Sequence, residues 1–101
     1  MSDQPSVTVI MPIRNEAAFI SRSLGAVLAQ DYPAERLDVV IADGMSSDTT
    51  REVIARTAET RPDVRVTIVD NPGRIVPTGF NRALMKARGE VIVRVDGHTV
   101  I

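Results

Sequence analysis

The sequence predicts an α/β fold, a three-layer α/β/α arrangement around a mostly parallel, Rossmann-like sheet, and three observations predict it. Short apolar runs rich in valine and isoleucine recur along the 101 residues. Stretches with helical periodicity stand between them, and Pro, Gly and Asp mark the junctions. Runs that are apolar on both faces read as strands covered on both sides, which is what a parallel sheet requires. Strand, helix, strand, helix, strand, helix, strand is the order of a doubly wound sheet whose crossovers keep neighbouring strands parallel.

The elements follow in chain order. The run Val7 to Ile13 leads to a helix from about Glu16 to Gln30, with Phe19, Ile20, Leu24, Val27 and Leu28 on one stripe. It ends before Asp31-Tyr32-Pro33, whose proline cannot continue it. After the run Leu37 to Ala42, a second helix starts where Thr49 and Glu52 have the spacing of a capping box, with Val53, Ile54 and Ala58 as its buried face. Arg61-Pro62-Asp63 ends that helix, and the run Val64 to Val69 follows. The third helix, about Thr78 to Arg88, turns Phe80, Ala83, Leu84 and Ala87 inward, and Gly89 sits where a left-handed C-cap is wanted. The run Val91 to Val95 is the last strand.

Bulk properties bound the function. With 44% hydrophobic residues the chain can bury a core as one domain or a piece of one. Its formal charge of −1 and scattered basic residues lack the footprint of a nucleic-acid binder. There is no cysteine, which excludes disulfides, thiolate metal sites and a cysteine nucleophile. The polar start, Met1 to Ser6, lacks the basic start and apolar stretch of a signal peptide, and no apolar run approaches the roughly 20 residues that span a bilayer. The expected location is the cytoplasm, or the cytoplasmic face of a membrane to which a parent protein is anchored.

Doubly wound sheets bind ligands beyond the carboxyl ends of their strands. Those ends are Pro12 to Glu16, Asp43-Gly44, Asp70 to Arg74 and Asp96 to Thr99. Each has a structural reading beside a functional one. Glu16 suits a helix N-terminus, Asp43-Gly44 is a turn dipeptide, and Asn71-Pro72-Gly73 reads as a turn that leaves Arg74 on the ligand side, where it could meet a phosphate. Asp48 reads as structural, since Ser46, Ser47 and Thr49 share the start of the second helix with it. Asp96 and His98, two positions apart in a loop, suit either a divalent cation or a loop hydrogen bond.

Four ordered blocks carry a resemblance: Val9-Ile10-Met11-Pro12-Ile13-Arg14-Asn15-Glu16; Val39 to Thr50, through Ala42-Asp43-Gly44-Met45-Ser46-Ser47-Asp48; Asn81 to Glu90; and Val95-Asp96-Gly97-His98. Together they resemble the N-terminal half of family 2 glycosyltransferases of the GT-A fold, over nearly the whole chain from Val7 onward. Val-Asp-Gly-His looks most like the transferases of bacterial exopolysaccharide synthesis, such as the succinoglycan enzymes. The resemblance implies a GT-A fold truncated after its fourth strand, with residues 1–101 as the donor-binding part of a single domain.

Site roles carry over position by position. Pro12, Ile13, Arg14, Asn15 and Glu16 match the first-strand signature, in which the proline shapes the strand exit and the acidic residue lies against the nucleoside. Asp43 matches the aspartate that reads the base, and its carboxylate can accept the imide N–H of uracil, so a UDP-sugar is the expected donor. Asp96 matches the first aspartate of the Asp-x-Asp metal motif; His98 departs from it. Imidazole beside oxygen ligands keeps divalent binding and favours Mn²⁺ over Mg²⁺. The metal would neutralise the leaving diphosphate, and Arg14 or Arg74 would add fixed charge. The expected acceptor is a saccharide or lipid-linked group, transfer inverts the sugar, and the general base belongs to the C-terminal half, outside this chain.

Other classes predict different features. A nucleotidyltransferase needs a glycine-rich phosphate loop after the first strand, where this chain has Pro12 to Glu16. A dinucleotide-binding unit needs Gly-x-Gly-x-x-Gly. A non-catalytic half-domain would self-associate through an exposed sheet edge.

Overall fold

In the computed structural model, residues 5–72 and 89–95 are described. The elements are β1 (Val7–Ile13), α1 (Ile20–Leu28), a short 3₁₀ turn (Ala34–Arg36), β2 (Leu37–Asp43), α2 (Thr50–Ala58), β3 (Arg65–Asp70) and β4 (Val91–Arg94). The third helix expected over Thr78 to Arg88 lies outside the described residues, as do Arg74, Asp96 and His98.

The strands form one four-stranded sheet in the order β3-β2-β1-β4, and every pairing is parallel. This is the doubly wound order: the chain moves outward from β1 to β3 and then crosses back to the far side of β1. The reversal falls between β1 and β4.

Side-chain alternation divides the core. Val9, Met11 and Ile13 of β1 and Val39 and Ile41 of β2 face Ile20, Leu24, Val27 and Leu28 of α1 and Ile54 of α2. Both helices therefore cover the same sheet face, as two crossovers in the same direction require. On the opposite face Ile10, Val40 and Ala42 are buried together, with Val69 packed against them.

Pro12 fits its strand for a reason of pairing. The carbonyl of Ile10 accepts the Val95 N–H at 2.9 Å, while that of Ile13 accepts from Gly44 at 2.8 Å, so even residues of β1 address β4 and odd ones β2. Pairing with β4 ends at Ile10. The missing N–H of Pro12 thus deprives no ladder bond.

Several expectations are corrected. Helix α1 begins at Ile20, and Phe19, its N-cap residue, is 48% exposed instead of joining the stripe. The cause is the chain just before it: Asn15 is left-handed (φ 51) and the Glu16 carbonyl accepts the N–H groups of Phe19 and Ile20, which forms a turn first. Glu16 is therefore outside the helix, and α1 has no acidic residue in its first turn. At α2, Thr49 makes no side-chain cap bond. Asp48 takes that role, accepting the Thr50 N–H at 2.9 Å. Gly89 is not left-handed. It is small because a Cβ there would sit 2.5 Å from the Thr8 backbone nitrogen, and its own N–H donates to the Thr8 hydroxyl at 2.8 Å. β4 is also not covered on both sides: Val91, Ile92 and Val93 are each 37–41% exposed at the sheet edge. No described helix is long and apolar enough to cross a membrane.

Candidate functional site at the carboxyl ends of β1, β2 and β3

The loops leaving β1 and β2 are locked to each other. Asn15 donates its N–H to the Ser46 hydroxyl at 2.9 Å, and its side-chain oxygen accepts the Ser47 N–H at 2.8 Å. Glu16 donates its N–H to the Thr50 hydroxyl at 2.9 Å, and Arg14 Nε donates to the Gly44 carbonyl at 3.0 Å. Ala17 N–H reaches Asp48 at 3.4 Å. Asn15 and Met45 are left-handed, at φ 51 and 59, which costs about 1–3 kcal/mol for each non-glycine residue. The reciprocal bonds hold both residues in that conformation, so the two loops act as one platform.

Asp43 stands at the centre. It is the last residue of β2 and has no exposed surface. Its Oδ1 accepts the Ser46 N–H at 3.3 Å and the Ser46 hydroxyl. Its Oδ2 accepts Arg51 Nε at 2.5 Å. The backbone is tied as well, since the Asp43 carbonyl accepts the N–H of the buried Asn71 at 2.8 Å. Asp70 pairs with Asp43 in register on β3. Two like charges opposite each other are unfavourable, and Arg51 relieves this by bonding Asp70 as well. Asp70 first and then Asp43 raise the guanidinium above its ordinary range, against the opposing effect of burial.

Asp48 joins the platform to α2. Its carboxyl is held below the usual range chiefly by the Thr50 hydroxyl, opposed by desolvation, with smaller help from the backbone N–H groups of Thr50 and Ala17. The structural reading of Asp48 agrees with this capping geometry.

The sequence-derived site residues fall into two groups. Pro12, Arg14, Asn15, Glu16 and Asp43 converge at one end of the sheet, with Pro12 buried and Arg14 and Asn15 exposed. Arg74, Asp96 and His98 lie outside the described residues. Among the described residues no cluster of three or more His, Cys, Asp or Glu could hold a metal, and the Asp43–Asp70 pair already has Arg51 where a cation would sit. Arg51 and Ser46 were missed by the sequence reading. A signal for Arg51 existed: a cation in the first turn of a helix opposes the dipole and calls for nearby carboxylates.

Residues 8–101 match the family model of glycosyl transferase family 2. The chain belongs to that family. Among relatives, it is 37% identical over 95 residues to the succinoglycan biosynthesis protein ExoA of Rhizobium meliloti, covering 92% of this chain and 28% of that protein. The fold matches the mannosyltransferase of Pyrobaculum calidifontis, solved with GDP-Man and Mn²⁺, at a TM-score of 0.89 and 40% identity, over 96% of this chain and 28% of that one. It also matches Staphylococcus aureus TarS in complex with UDP, at a TM-score of 0.76 and 26% identity, over 91% and 27% of the two chains. The chain thus spans under a third of the length of these proteins. The α/β architecture is that of the GT-A glycosyltransferases, with β3-β2-β1-β4 as its parallel sheet.

Proposed function

We propose that this chain is the donor-binding part of an inverting glycosyltransferase that takes a sugar from a nucleoside diphosphate. The observation that carries the reading is the locked pair of loops around buried Asp43, at the ligand-binding end of a doubly wound sheet. The solved relatives that hold GDP-Man with Mn²⁺ and UDP support it.

In the proposed reaction an acceptor hydroxyl attacks the anomeric carbon and the bond to the diphosphate breaks. The proton passes to a carboxylate supplied from outside these residues. The work of this chain is to bind and orient the donor. Arg14 is exposed beside the platform, with Nε fixed to Gly44, so the rest of its guanidinium is available to an anion. Asp96 and His98 are the residues assigned to a divalent cation, Mn²⁺ before Mg²⁺, which would neutralise the departing diphosphate. An oxygen and imidazole donor set fits that preference. The acceptor is proposed to be a saccharide or a lipid-linked group, and the reaction to face the cytoplasm.

The base is proposed to be uracil, whose imide N–H a carboxylate accepts. Guanine is the second reading, favoured by the GDP-Man complex of the 40% identical relative. Its N1–H and N2–H₂ offer a carboxylate two donors. Calorimetric titration of UDP and GDP, each with Mn²⁺, decides between them. Saturable binding that weakens in Asp43→Ala supports the assignment. No binding of either nucleotide, with no difference in the variant, rejects it.

A further inference from the structure

We propose that Arg51 is a positioning residue that presents the Asp43 carboxylate to the donor's base and thereby governs base discrimination. This rests on the donor-site reading above. A carboxylate oxygen offers two lone pairs. On Oδ1 both are taken, by the Ser46 N–H at 3.3 Å and the Ser46 hydroxyl. On Oδ2 one is taken, by Arg51 Nε at 2.5 Å. The single acceptor direction left for an incoming N–H is therefore on the oxygen that Arg51 holds.

The placement of Arg51 suits that task better than helix stability. It lies in the first turn of α2, where the dipole disfavours a cation. Its second arm bonds Asp70, so the guanidinium bridges the ends of β2 and β3. Asp43 is wholly buried, whereas the Arg51 side chain is 45% exposed and Asp70 64%. A base can reach Oδ2 only if something shifts, and Arg51, tethered to exposed Asp70, is the member of the trio that can move without disturbing the core. Ser46 cannot do so as readily, because its hydroxyl also accepts the Asn15 N–H that joins the two loops.

The test compares each nucleotide with a partner methylated on the nitrogen that the carboxylate would accept from: UDP with N3-methyl-UDP, and GDP with N1-methyl-GDP. Affinities are measured by calorimetry with Mn²⁺ on the 101-residue chain. In the wild type, methylation weakens binding of the cognate nucleotide about tenfold or more, the effect of losing a hydrogen bond to a charged group. Arg51→Gln brings that ratio close to one while the diphosphate still binds, and Arg51→Lys, which keeps the charge on a single arm, recovers part of it. Asp70→Asn, at an exposed position, lowers the ratio partway, and with Arg51→Lys it carries the test if Arg51→Gln fails to fold by circular dichroism.

An unchanged ratio in the Arg51 variants, or an equal loss for both members of a pair, overturns the proposal and leaves Arg51 a structural bridge. A wild-type chain that binds none of the four nucleotides instead overturns the donor-site reading, a result distinguishable from the first.

Discussion

Replacing Arg61 by alanine tests how the helical layer is closed against the sheet. The last carbonyls of a helix lack intrahelical partners. In this chain the carbonyl of Leu28, the final residue of α1, is met by Arg61 Nη1 at 3.0 Å, and the same nitrogen reaches the Gln30 carbonyl at 3.1 Å. Nη2 donates to the Tyr32 carbonyl. One guanidinium from beyond α2 thus holds the exit of α1. Its side chain is only 23% exposed, and its ion pair with Asp63, at 4.0 Å and with Asp63 66% exposed, adds little. Hydrogen bonds involving a charged group contribute about 1.5–3 kcal/mol each. The abandoned carbonyls regain water and the bonds are not additive, so the net loss for Arg61→Ala is put at about 2–3 kcal/mol, the size of a single such bond and well below the sum of three. In a domain of this size that lowers Tm by roughly 10–20 °C. Arg61→Lys recovers less than half, because an ammonium cannot span the carbonyls as a planar fork does. Urea unfolding followed by circular dichroism measures both variants, with exposed Arg56→Ala as a control expected within about 0.5 kcal/mol of wild type. An Arg61→Ala loss as small as the control's, or a lysine variant as stable as wild type, would show that Arg61 does not hold the exit of α1.

Gly89→Ala would place a Cβ 2.5 Å from the Thr8 nitrogen and 2.8 Å from its hydroxyl. Since the first of these is backbone, destabilisation of about 1–3 kcal/mol is expected, with loss of hydrogen-exchange protection at Val91 and Val95 before that of β2. Asp48 should shape the acid limb of stability. Its folded pKa lies below the usual 3.8, so its contribution is complete above that pH and is lost as pH falls through the lower folded value. Asp48→Asn should flatten the pH dependence of unfolding below pH 3.8, and an unaltered slope contradicts the capping role. The exposed apolar edge of β4 predicts concentration-dependent self-association. Sedimentation velocity over a tenfold concentration range checks this, and a clean monomer at the top of the range removes it.

Much of the architecture was legible because parallel strands announce themselves as continuous apolar runs. β1 spans Val7 to Ile13 as read, and β2 and β3 shift by no more than one residue at either end. Helix starts were less legible, since they depend on contacts remote in sequence. The left-handed turn at Asn15 is held by Ser46 and Ser47, more than thirty positions away, and nothing local to Glu16 through Phe19 reveals it. Gly89 illustrates the same limit. A glycine after a helical pattern suggests a C-cap, yet its reason for being small lies across the sheet at Thr8. Asp43 closes β2, as its place after an apolar run suggests; a cation in the first turn of α2 signals a carboxylate partner, but which carboxylates it meets depends on α2 lying beside β2 and β3.

The proposed docking place of the sugar nucleotide is the platform formed by the β1 and β2 loops. Backbone amide shifts recorded by NMR, as UDP and then GDP are added with Mn²⁺, test it most directly. Saturable shifts are expected at Arg14 to Ala17 and Asp43 to Arg51, and none at the opposite sheet end around Ser6 and Leu37. Shifts that are unsaturable, or that centre on the Ser6 and Leu37 end, would contradict it.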